Sequence, residues 1–342
     1  MPTPQISVVM PCFNAEATLG AAFSSVLGQE GADFEVVAVD DGSTDGTAGV
    51  LREWAGRDGR VRPVFAPHGG IVAALNAGLA AARGAYIARL DADDQCLPGR
   101  LARQAGFLDA GPELGLAGCR VRFGGDRRAA AGYARYVDWT NGLLDHEGIA
   151  LNRFIESPLP HPSVMFRKGL VALHGGYRDG DFPEDYELWL RWLDAGVRMA
   201  KVDAELVVWN DPPDRLSRTD GRYGFEAFYR TKAEYLARWL KAGPLAGAAR
   251  PVVGVLGAGR VTRKRAELLL AHGVEIACWY DLDPRKVGHV VAGRPVRHRD
   301  EVPLPGELFL LSYVGSVGAR EDIATFLASR GYAPGRDWMA AA

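Results

Sequence analysis

The chain has few cysteines, little net charge and no long hydrophobic segment. Its four cysteines, Cys12, Cys96, Cys119 and Cys278, lie far apart without C-x-x-C spacing, and no signal peptide precedes the first strand-like run. Reduced thiols in a cytoplasmic protein are therefore expected. No run of about 18 apolar residues is present, which excludes a membrane-spanning helix. The formal net charge of −2 gives no general reason to expect a nucleic-acid partner.

The length and composition are those of an ordinary globular protein with room for two domains. The chain has 342 residues, of which 48% are hydrophobic and 24% charged. At roughly 150 residues per domain, two domains are expected. The arginine- and aromatic-rich residues 223–239 leave peripheral contact with the inner face of the membrane open, although a packed helix explains them as well. The oligomeric state cannot be read from these features.

Strand-like and helix-like patterns alternate through the first hundred residues. Strands are predicted at 6–10 and 34–39, and helices around 19–27 behind an Asn14 cap, after the turn at 43–45, and at 71–79. This order predicts a parallel sheet with right-handed crossovers. Residues 111–183 are less regular and are predicted to form loops around a second pocket.

A change of composition separates a second α/β segment from the first. Residues 241–250 are small and linker-like, and strand and helix patterns then restart. We therefore predict a domain at 1–240, a linker at 241–250 and a second domain at 251–342. Gly257 and Gly259 resemble the start of a dinucleotide-binding unit, with Asp281 ending the next strand, but Thr262 replaces the third glycine. A structural or interaction module is favoured over a working nucleotide site.

Three carboxylates follow one apolar run. Residues 86–90 read as a buried strand, and Asp91, Asp93 and Asp94 follow it directly. Clustered carboxylates raise one another's pKa unless a cation or donor groups neutralise them, and Asp-x-Asp suits a hard divalent metal. By themselves such residues are also common in turns and helix caps.

Three further segments are expected at the same edge of the sheet. Residues 11–16 follow the first strand, 40–45 follow the second, and 68–76 follow the third. Taken separately, each of these segments could simply be a loop, a turn or a polar group with its hydrogen bonds satisfied. Together they supply what a nucleotide pocket needs, namely an aromatic wall, acceptors for base or ribose, and a site for a metal.

These segments resemble the family 2 glycosyltransferases, which have the GT-A fold. The resemblance extends over residues 4 to about 235 in the family's order and spacing. It is carried by ISVVMPCFNAE (6–16), VDDGSTDGT (39–47), GGIVAALNAG (69–78), RLDADD (89–94), HPSVMFR (161–167), GGY (175–177) and EDYELWLR (184–191).

The resemblance implies a fold and a reaction. The fold would be a mostly parallel, Rossmann-like sheet flanked by helices, of the GT-A nucleotide-diphospho-sugar transferase type, followed by a small Rossmann-like α/β domain. The reaction would be inverting transfer of a sugar from a nucleotide-diphosphate sugar to an acceptor hydroxyl, dependent on Mn²⁺ or Mg²⁺, in cell-surface glycan or polysaccharide synthesis. The acceptor would be a glycan, a lipid-linked group or a protein, and the sequence names neither the sugar nor the base.

The resemblance also implies roles for individual residues. Asp185 would be the general base, although it could equally cap a helix. Asp93, assisted by Asp91, would hold the metal. His161, Glu184 and Arg218 are candidates for contacts with the acceptor or the diphosphate. The nucleotide sugar would be contacted by Pro11, Phe13, Glu16, Asp40, Asp41, Asn76, Asp91, Ala92 and Asp93.

The sequence departs from the family pattern in two places, and it leaves three other functions open. No histidine lies in residues 209–218, so a third protein ligand to the metal is in doubt, and Leu75 stands where many members have arginine. A nucleotidyltransferase is disfavoured because residues 11–16 lack a glycine-rich, arginine-containing loop. An NAD(P)-linked sugar oxidoreductase or a nucleotide-binding module would act through the second domain. A catalytically silent scaffold would not need Asp91, Asp93 and Asp185.

Overall fold

The computed structural model describes residues 3–213, 215–316 and 318–342. The chain forms two compact units: the first extends to Ile149 and includes 158–220, and the second consists of 150–157 and 221–342. The second unit therefore includes the helix that we assigned to the first domain, and the boundary at 241–250 stays a prediction. Among the described residues, no helix is both long and apolar enough to cross a membrane.

Strands and helices alternate through the first 220 residues. The elements are β1 (Ile6–Cys12), α1 (Glu16–Leu27), β2 (Phe34–Asp41), α2 (Thr47–Arg57), β3 (Val61–Ala66), α3 (Ile71–Ala81), β4 (Tyr86–Arg89), β5 (Gln95–Cys96), α4 (Arg100–Ala110), β6 (Leu114–Phe123), α5 (Ala131–Asn141), α6 (His146–Asn152), β7 (Met165–Arg167), α7 (Gly169–His174), α8 (Glu184–Asp194), β8 (Arg198–Trp209) and α9 (Leu216–Thr219).

The eight strands form one mixed sheet in the order β3-β2-β1-β4-β7-β6-β8-β5. Strands β1 to β4 run parallel to one another, β6 runs parallel to β8, and β7 and β5 pair antiparallel with their neighbours. Every residue of β1 and β2 is buried, as expected for strands covered by helices on both faces. The predicted, mostly parallel sheet is confirmed.

Two local predictions were wrong. Asn14 does not cap α1: the N-cap is Ala15, and Asn14 has a φ of 49°. Its side-chain oxygen instead accepts a hydrogen bond of 2.9 Å from the Thr44 backbone N–H, which joins the loops after β1 and β2. Residues 111–183 contain two strands and three helices rather than loops. At least one of their glycines allows close packing, since a Cβ at Gly118 would lie 3.0 Å from the Leu159 and Lys201 side chains.

The second unit has a smaller Rossmann-like sheet, as predicted. The strand order is β11-β12-β10-β9-β13-β14, and all pairs are parallel except β11 with β12. The elements are α10 (Phe225–Ala242), β9 (Val252–Leu256), α11 (Arg260–Ala266), β10 (Glu275–Asp281), β11 (Val290–Val291), β12 (Arg294–His298), β13 (Phe309–Ser312), α12 (Ala319–Ser329) and β14 (Trp338–Ala340).

The glycine turn after β9 is braced by Asp281. The Asp281 carboxylate accepts hydrogen bonds from the Ala258 backbone N–H at 2.8 Å and from Lys286 Nζ at 3.0 Å. Gly257 has a φ of 97°, and a Cβ there would lie 3.1 Å from Thr262 Cγ2. In a dinucleotide-binding unit the acid at this position would bind a ribose hydroxyl. Here Asp281 instead stabilises the loop that follows β9.

The four cysteines are buried and free of disulfides. Burial is the largest cause that raises the thiol pKa of Cys12, Cys96 and Cys119, and nearby carboxylates add to it for Cys12.

A buried carboxylate, Glu35, joins the first three strands at their amino ends. Its side chain is 2% exposed and accepts hydrogen bonds from Ser7 Oγ at 2.7 Å, Arg62 Nη1 at 2.7 Å and Arg83 Nε at 2.8 Å. Burial alone would raise the pKa of Glu35. The hydrogen bonds from Ser7, Arg83 and Arg62 outweigh burial and lower the pKa to about 2.

We predict that Glu35→Gln destabilises the protein by about 2–3 kcal/mol at pH 7, because the depressed pKa reflects a preference of the folded state for the carboxylate. This stabilisation is fully present above the unfolded pKa of 4.5 and is lost as the pH falls towards 2. Urea unfolding of both proteins from pH 7 to 3 measures the difference. Glu53→Gln, which removes an exposed partner of Arg57, is the control and should change little. A loss independent of pH would contradict the assignment.

Candidate active site

The predicted carboxylate cluster lies in the turn that follows β4, and β8 fixes this turn. Oxygen atoms of Asp91, Asp93 and Asp94 all lie within 4.8 Å of one another. The Asn210 backbone N–H donates to Asp94 Oδ1 at 2.8 Å, and the Asn210 side chain donates to the Asp93 carbonyl at 2.6 Å. The end of β8 therefore sets the position of the cluster, a role that sequence analysis did not assign to Asn210.

A buried arginine stands beside the cluster. Arg89 is the last residue of β4, and its guanidinium forms an ion pair with Asp91. Its charge also acts on Asp93, Asp185 and His161. Sequence analysis missed this residue, although a cation within an otherwise apolar strand is itself a signal, because a buried charge needs partners.

The carboxylates of the cluster hold their protons more tightly than isolated aspartates. Burial first, and then the charge of Asp91, raise the pKa of Asp93 to about 6. The same two causes raise the pKa of Asp94, whose buried Oδ2 has no hydrogen-bond partner within the described residues. Ala92, which lies between Asp91 and Asp93 in the chain, is buried. A compact set of carboxylate oxygens with an unpaired buried member fits a hard divalent cation.

Asp185 lies at the start of α8 with a strongly perturbed pKa. Burial, followed by the charge of Glu184, raises the pKa of Asp185 to about 7, while Arg89 opposes this rise. Asp185 is not the N-cap, which is Pro183, and its Oδ1 accepts a 2.7 Å hydrogen bond from the next backbone N–H, that of Tyr186. A carboxylate that titrates near neutral pH is suited to general base catalysis.

His161 and Glu184 belong to a buried network beside Asp185. His161 Nε2 lies 2.7 Å from the Tyr177 hydroxyl, and its Nδ1 lies 4.0 Å from Glu184 Oε1. Burial, with the charge of Arg89, lowers the pKa of His161 well below its usual value, so the imidazole is neutral at pH 7. Both side chains are buried, and a contact with the acceptor stays a prediction for each.

The loops after β1 and β3 present an exposed aromatic pair. The ring of Phe13, which is 48% exposed, stacks on that of His68 with centroids 4.4 Å apart and an interplanar angle of 26°. His68 Nδ1 in turn lies 2.9 Å from Asp41 Oδ2. Sequence analysis named Phe13 but missed His68.

The two acidic residues that end β2 both bind backbone N–H groups. The Asp41 carboxylate accepts hydrogen bonds from Gly69 and Gly70, each at 2.9 Å. Asp40 Oδ1 accepts one of 3.1 Å from Ser43. Both carboxylates are buried. Their observed contacts are therefore with loops, and contact with base or ribose stays a prediction.

Three other predicted nucleotide contacts have structural partners. Pro11 lies within the buried strand β1. Glu16 Oε2 accepts a 2.9 Å hydrogen bond from the Gly46 backbone N–H. The Asn76 side chain donates to the Tyr177 carbonyl at 2.9 Å and accepts from its N–H at 3.1 Å. Glu16 and Asn76 thus brace segments of the site, and contact with a nucleotide stays a prediction for all three residues.

Two arginines follow β8. Arg218 forms an ion pair of 2.7 Å with Asp211. The Arg215 guanidinium lies 3.9 Å from the centre of the Trp209 ring, and its charge lowers the pKa of both Asp93 and Asp94. Arg215 is therefore electrostatically coupled to the carboxylate cluster, and it shares Asp211 with Arg218, since its Nη1 lies 3.7 Å from Asp211 Oδ1.

We predict that Arg89→Met destabilises the protein more at pH 7.5 than at pH 5. The substitution removes the cation that offsets the carboxylates, and their raised pKa values mean that protonation relieves the repulsion as the pH falls. Urea unfolding at both pH values measures the difference. Arg89→Lys is the matched control and should retain most of the stability at pH 7.5. Equal losses at the two pH values in Arg89→Met would indicate a packing role alone.

Comparison with known proteins gives a consistent assignment. The family model described as glycosyl transferase family 2 matches residues 7–172. The putative glycosyltransferase EpsE of Bacillus subtilis (strain 168) is 28% identical over 243 residues, which are 65% of this chain and 79% of that protein. The amylovoran biosynthesis glycosyltransferase AmsE of Erwinia amylovora is 30% identical over 189 residues, which are 55% of this chain and 68% of that protein.

A solved structure has the same fold. Residues 1–349 of TarS from S. aureus, in complex with UDP-GlcNAc, superpose with a TM-score of 0.52 at 15% sequence identity, covering 78% of this chain and 80% of that one. The GT-A fold expected from the sequence is thereby confirmed. The chain belongs to glycosyl transferase family 2 and is a glycosyltransferase.

Proposed function

We propose that this glycosyltransferase moves a sugar from a nucleotide-diphosphate sugar to an acceptor hydroxyl with inversion, in a metal-dependent reaction. The proposal rests on one observation: the charge of Arg89 acts both on a candidate metal ligand, Asp93, and on a candidate general base, Asp185. Asp93 belongs to a compact oxygen cluster, and Asp185 is a carboxylate that titrates near neutral pH. The charge of Arg89 acts on both, which supports a single site for the two carboxylates.

Asp93 would be the main ligand of a divalent cation. Asp91 assists but is partly engaged by Arg89, and Asp94 is committed to Asn210 through one oxygen. When bound, such a cation offsets the negative charge that develops on a departing diphosphate. Arg215 would add positive charge on the same side, because its charge already acts on the cluster, although its Nη1 also forms an ion pair of 3.7 Å with Asp211.

Asp185 would accept the proton of the attacking hydroxyl. Inversion requires a single in-line displacement at the anomeric carbon, so a base must act from the face opposite the leaving group. Arg89 favours the ionised form of Asp185, while burial and Glu184 favour the protonated form. The balance leaves a carboxylate that is ionised for a substantial fraction of the time at pH 7 and is basic enough to take a proton.

The donor would lie along the loops after β1 to β3. The exposed Phe13–His68 stack offers an aromatic surface for a base, and the buried acids Asp40 and Asp41 hold these loops in place. TarS was solved with UDP-GlcNAc, which supports a nucleotide-sugar donor. The name of AmsE supports a role in polysaccharide synthesis. We extend both to this chain as parts of the proposal, with a glycan, lipid-linked or protein acceptor.

The metal requirement can be tested by donor hydrolysis, in which water replaces the acceptor. Across a panel of UDP- and GDP-sugars, we expect hydrolysis that requires Mn²⁺ or Mg²⁺ and stops in EDTA. Asp93→Asn should lower kcat/KM by about 100-fold, because one charged ligand is lost. Glu113→Gln, on an exposed loop, is the control and should be unaffected. Full activity in EDTA would refute the metal requirement.

The base assignment predicts a separation of binding from chemistry. Asp185→Asn should bind the donor with a Kd within about threefold of wild type but hydrolyse it roughly 10³-fold more slowly. In the wild type, kcat should rise with pH through about 7, as Asp185 loses its proton, and then level off. Asp194→Asn, at the exposed end of the same helix, is the matched control. An unchanged rate in Asp185→Asn would exclude this residue as the base.

A further inference from the structure

The second unit contains a group of cations that the proposed transfer reaction does not use. Lys232 on α10 is 3% exposed, and its Nζ lies 4.1 Å from the centre of the Tyr229 ring. The Arg265 guanidinium on α11 lies 4.1 Å from the same centre. The two cations are therefore separated by at most about twice that distance. Arg320, at the start of α12, is near enough for its charge to act on both Lys232 and Tyr229.

The partners of these basic side chains are mainly neutral groups and two carboxylates. Among the described residues, neither Lys232 nor Arg265 forms an ion pair; Lys232 Nζ donates to the Ile155 carbonyl at 2.9 Å. Arg320 Nη2 donates to the terminal carboxylate of Ala342 at 2.8 Å, while its buried Nε has no hydrogen-bond partner within the described residues. Burial lowers the pKa of Lys232 to about 7, and the charge of Glu156 opposes this shift. Three basic side chains, of which Arg265 and Arg320 are half-buried, thus lie near the carboxylates of Glu156 and Ala342, and a further anion would favour the charged form of Lys232.

The topology of the sheet favours a ligand site between the helices that carry the two arginines. From β9, the chain proceeds to β10 on one side, and β13 lies on the other side, so the strand order reverses between β9 and β13. Ligands of open parallel sheets bind outside the carboxyl ends of the strands at such a reversal. Helix α11 follows β9 and carries Arg265, whereas α12 follows β13 and carries Arg320. The two arginines thus come from the helices that flank the reversal.

A buried hydroxyl marks the same edge. Ser312 is the last residue of β13 and is 1% exposed, yet its Oγ has no hydrogen-bond partner within the described residues. A buried hydroxyl is normally satisfied, by protein, water or ligand. The adjoining segment is tied to the helix after β9, since Thr262 Oγ1 lies 3.4 Å from the Tyr313 carbonyl.

We propose that the second unit binds a phosphate-bearing anion at the carboxyl edge of β9 and β13, with Arg265, Arg320 and Ser312 as its contacts and Lys232 as a supporting charge. The planar guanidinium of one arginine can bind two phosphate oxygens at once. Three basic side chains suit an anion with more than one negative charge. The site is independent of the carboxylate cluster in the first unit and needs no metal from it.

Calorimetric titration of the full chain with inorganic pyrophosphate in EDTA tests the site. We expect saturable binding in the wild type and at least tenfold weaker binding in Arg265→Gln and in Arg320→Gln. Arg285→Gln, an exposed arginine of the same unit, is the control and should bind within twofold of wild type. No saturable binding, or equal affinity in all four proteins, would overturn the proposal.

Two additional measurements distinguish loss of binding from misfolding, and binding at this site from binding elsewhere in the chain. Arg265→Lys retains the charge, and its Kd for pyrophosphate should be within about fivefold of the wild-type value. Ser312→Ala removes only a hydroxyl and tests that contact without a change of charge. In hydrogen exchange, pyrophosphate should protect residues 257–262 and 312–316; protection confined to residues 11–16 and 89–94 would overturn the site. A parallel titration with NAD⁺ identifies the carrier of the phosphate: tighter binding than pyrophosphate indicates a dinucleotide, and weaker binding indicates a simpler anion.

Discussion

The ion pair between Arg89 and Asp91 connects the central sheet to the candidate active site. Arg89 ends a buried strand, so its charge is held in place by the same packing that forms the core. That charge offsets burial and mutual repulsion in Asp93 and Asp185, whose pKa values would otherwise rise further. The fixed cation therefore favours the ionised forms of Asp93 and Asp185, which are the forms that hold a metal or accept a proton.

The sequence predicted those parts of the protein that depend on local pattern. Apolar runs followed by polar loops gave the order of strands and helices, and the adjacent Asp91, Asp93 and Asp94 gave the acidic cluster. The residues that hold the cluster were not predicted, because their partners are distant in sequence. Asn210, for example, contacts Asp94 across 116 positions. A single sequence carries no signal for such a contact.

Local signals also misled in specific ways. Asn14 resembles a helix cap, but the competing long-range hydrogen bond to Thr44 fixes it in a left-handed conformation. Glycines in residues 111–183 suggested loops, whereas Gly118 allows close contact inside a strand. The roles of Asp41, Glu16 and Asn76 were likewise hidden, since a polar residue near a pocket can serve either a ligand or a neighbouring backbone.

The burial of all four cysteines has a practical consequence. Thiolates, rather than thiols, react with alkylating reagents, and burial raises the thiol pKa of Cys12, Cys96 and Cys119. The folded chain should therefore be nearly inert to iodoacetamide. Because Cys12, Cys96 and Cys119 belong to the first unit and Cys278 to the second, the order in which these sulfurs become labelled during partial denaturation would report which unit opens first. The protein thus contains its own chemical probes of stability, with no engineered label.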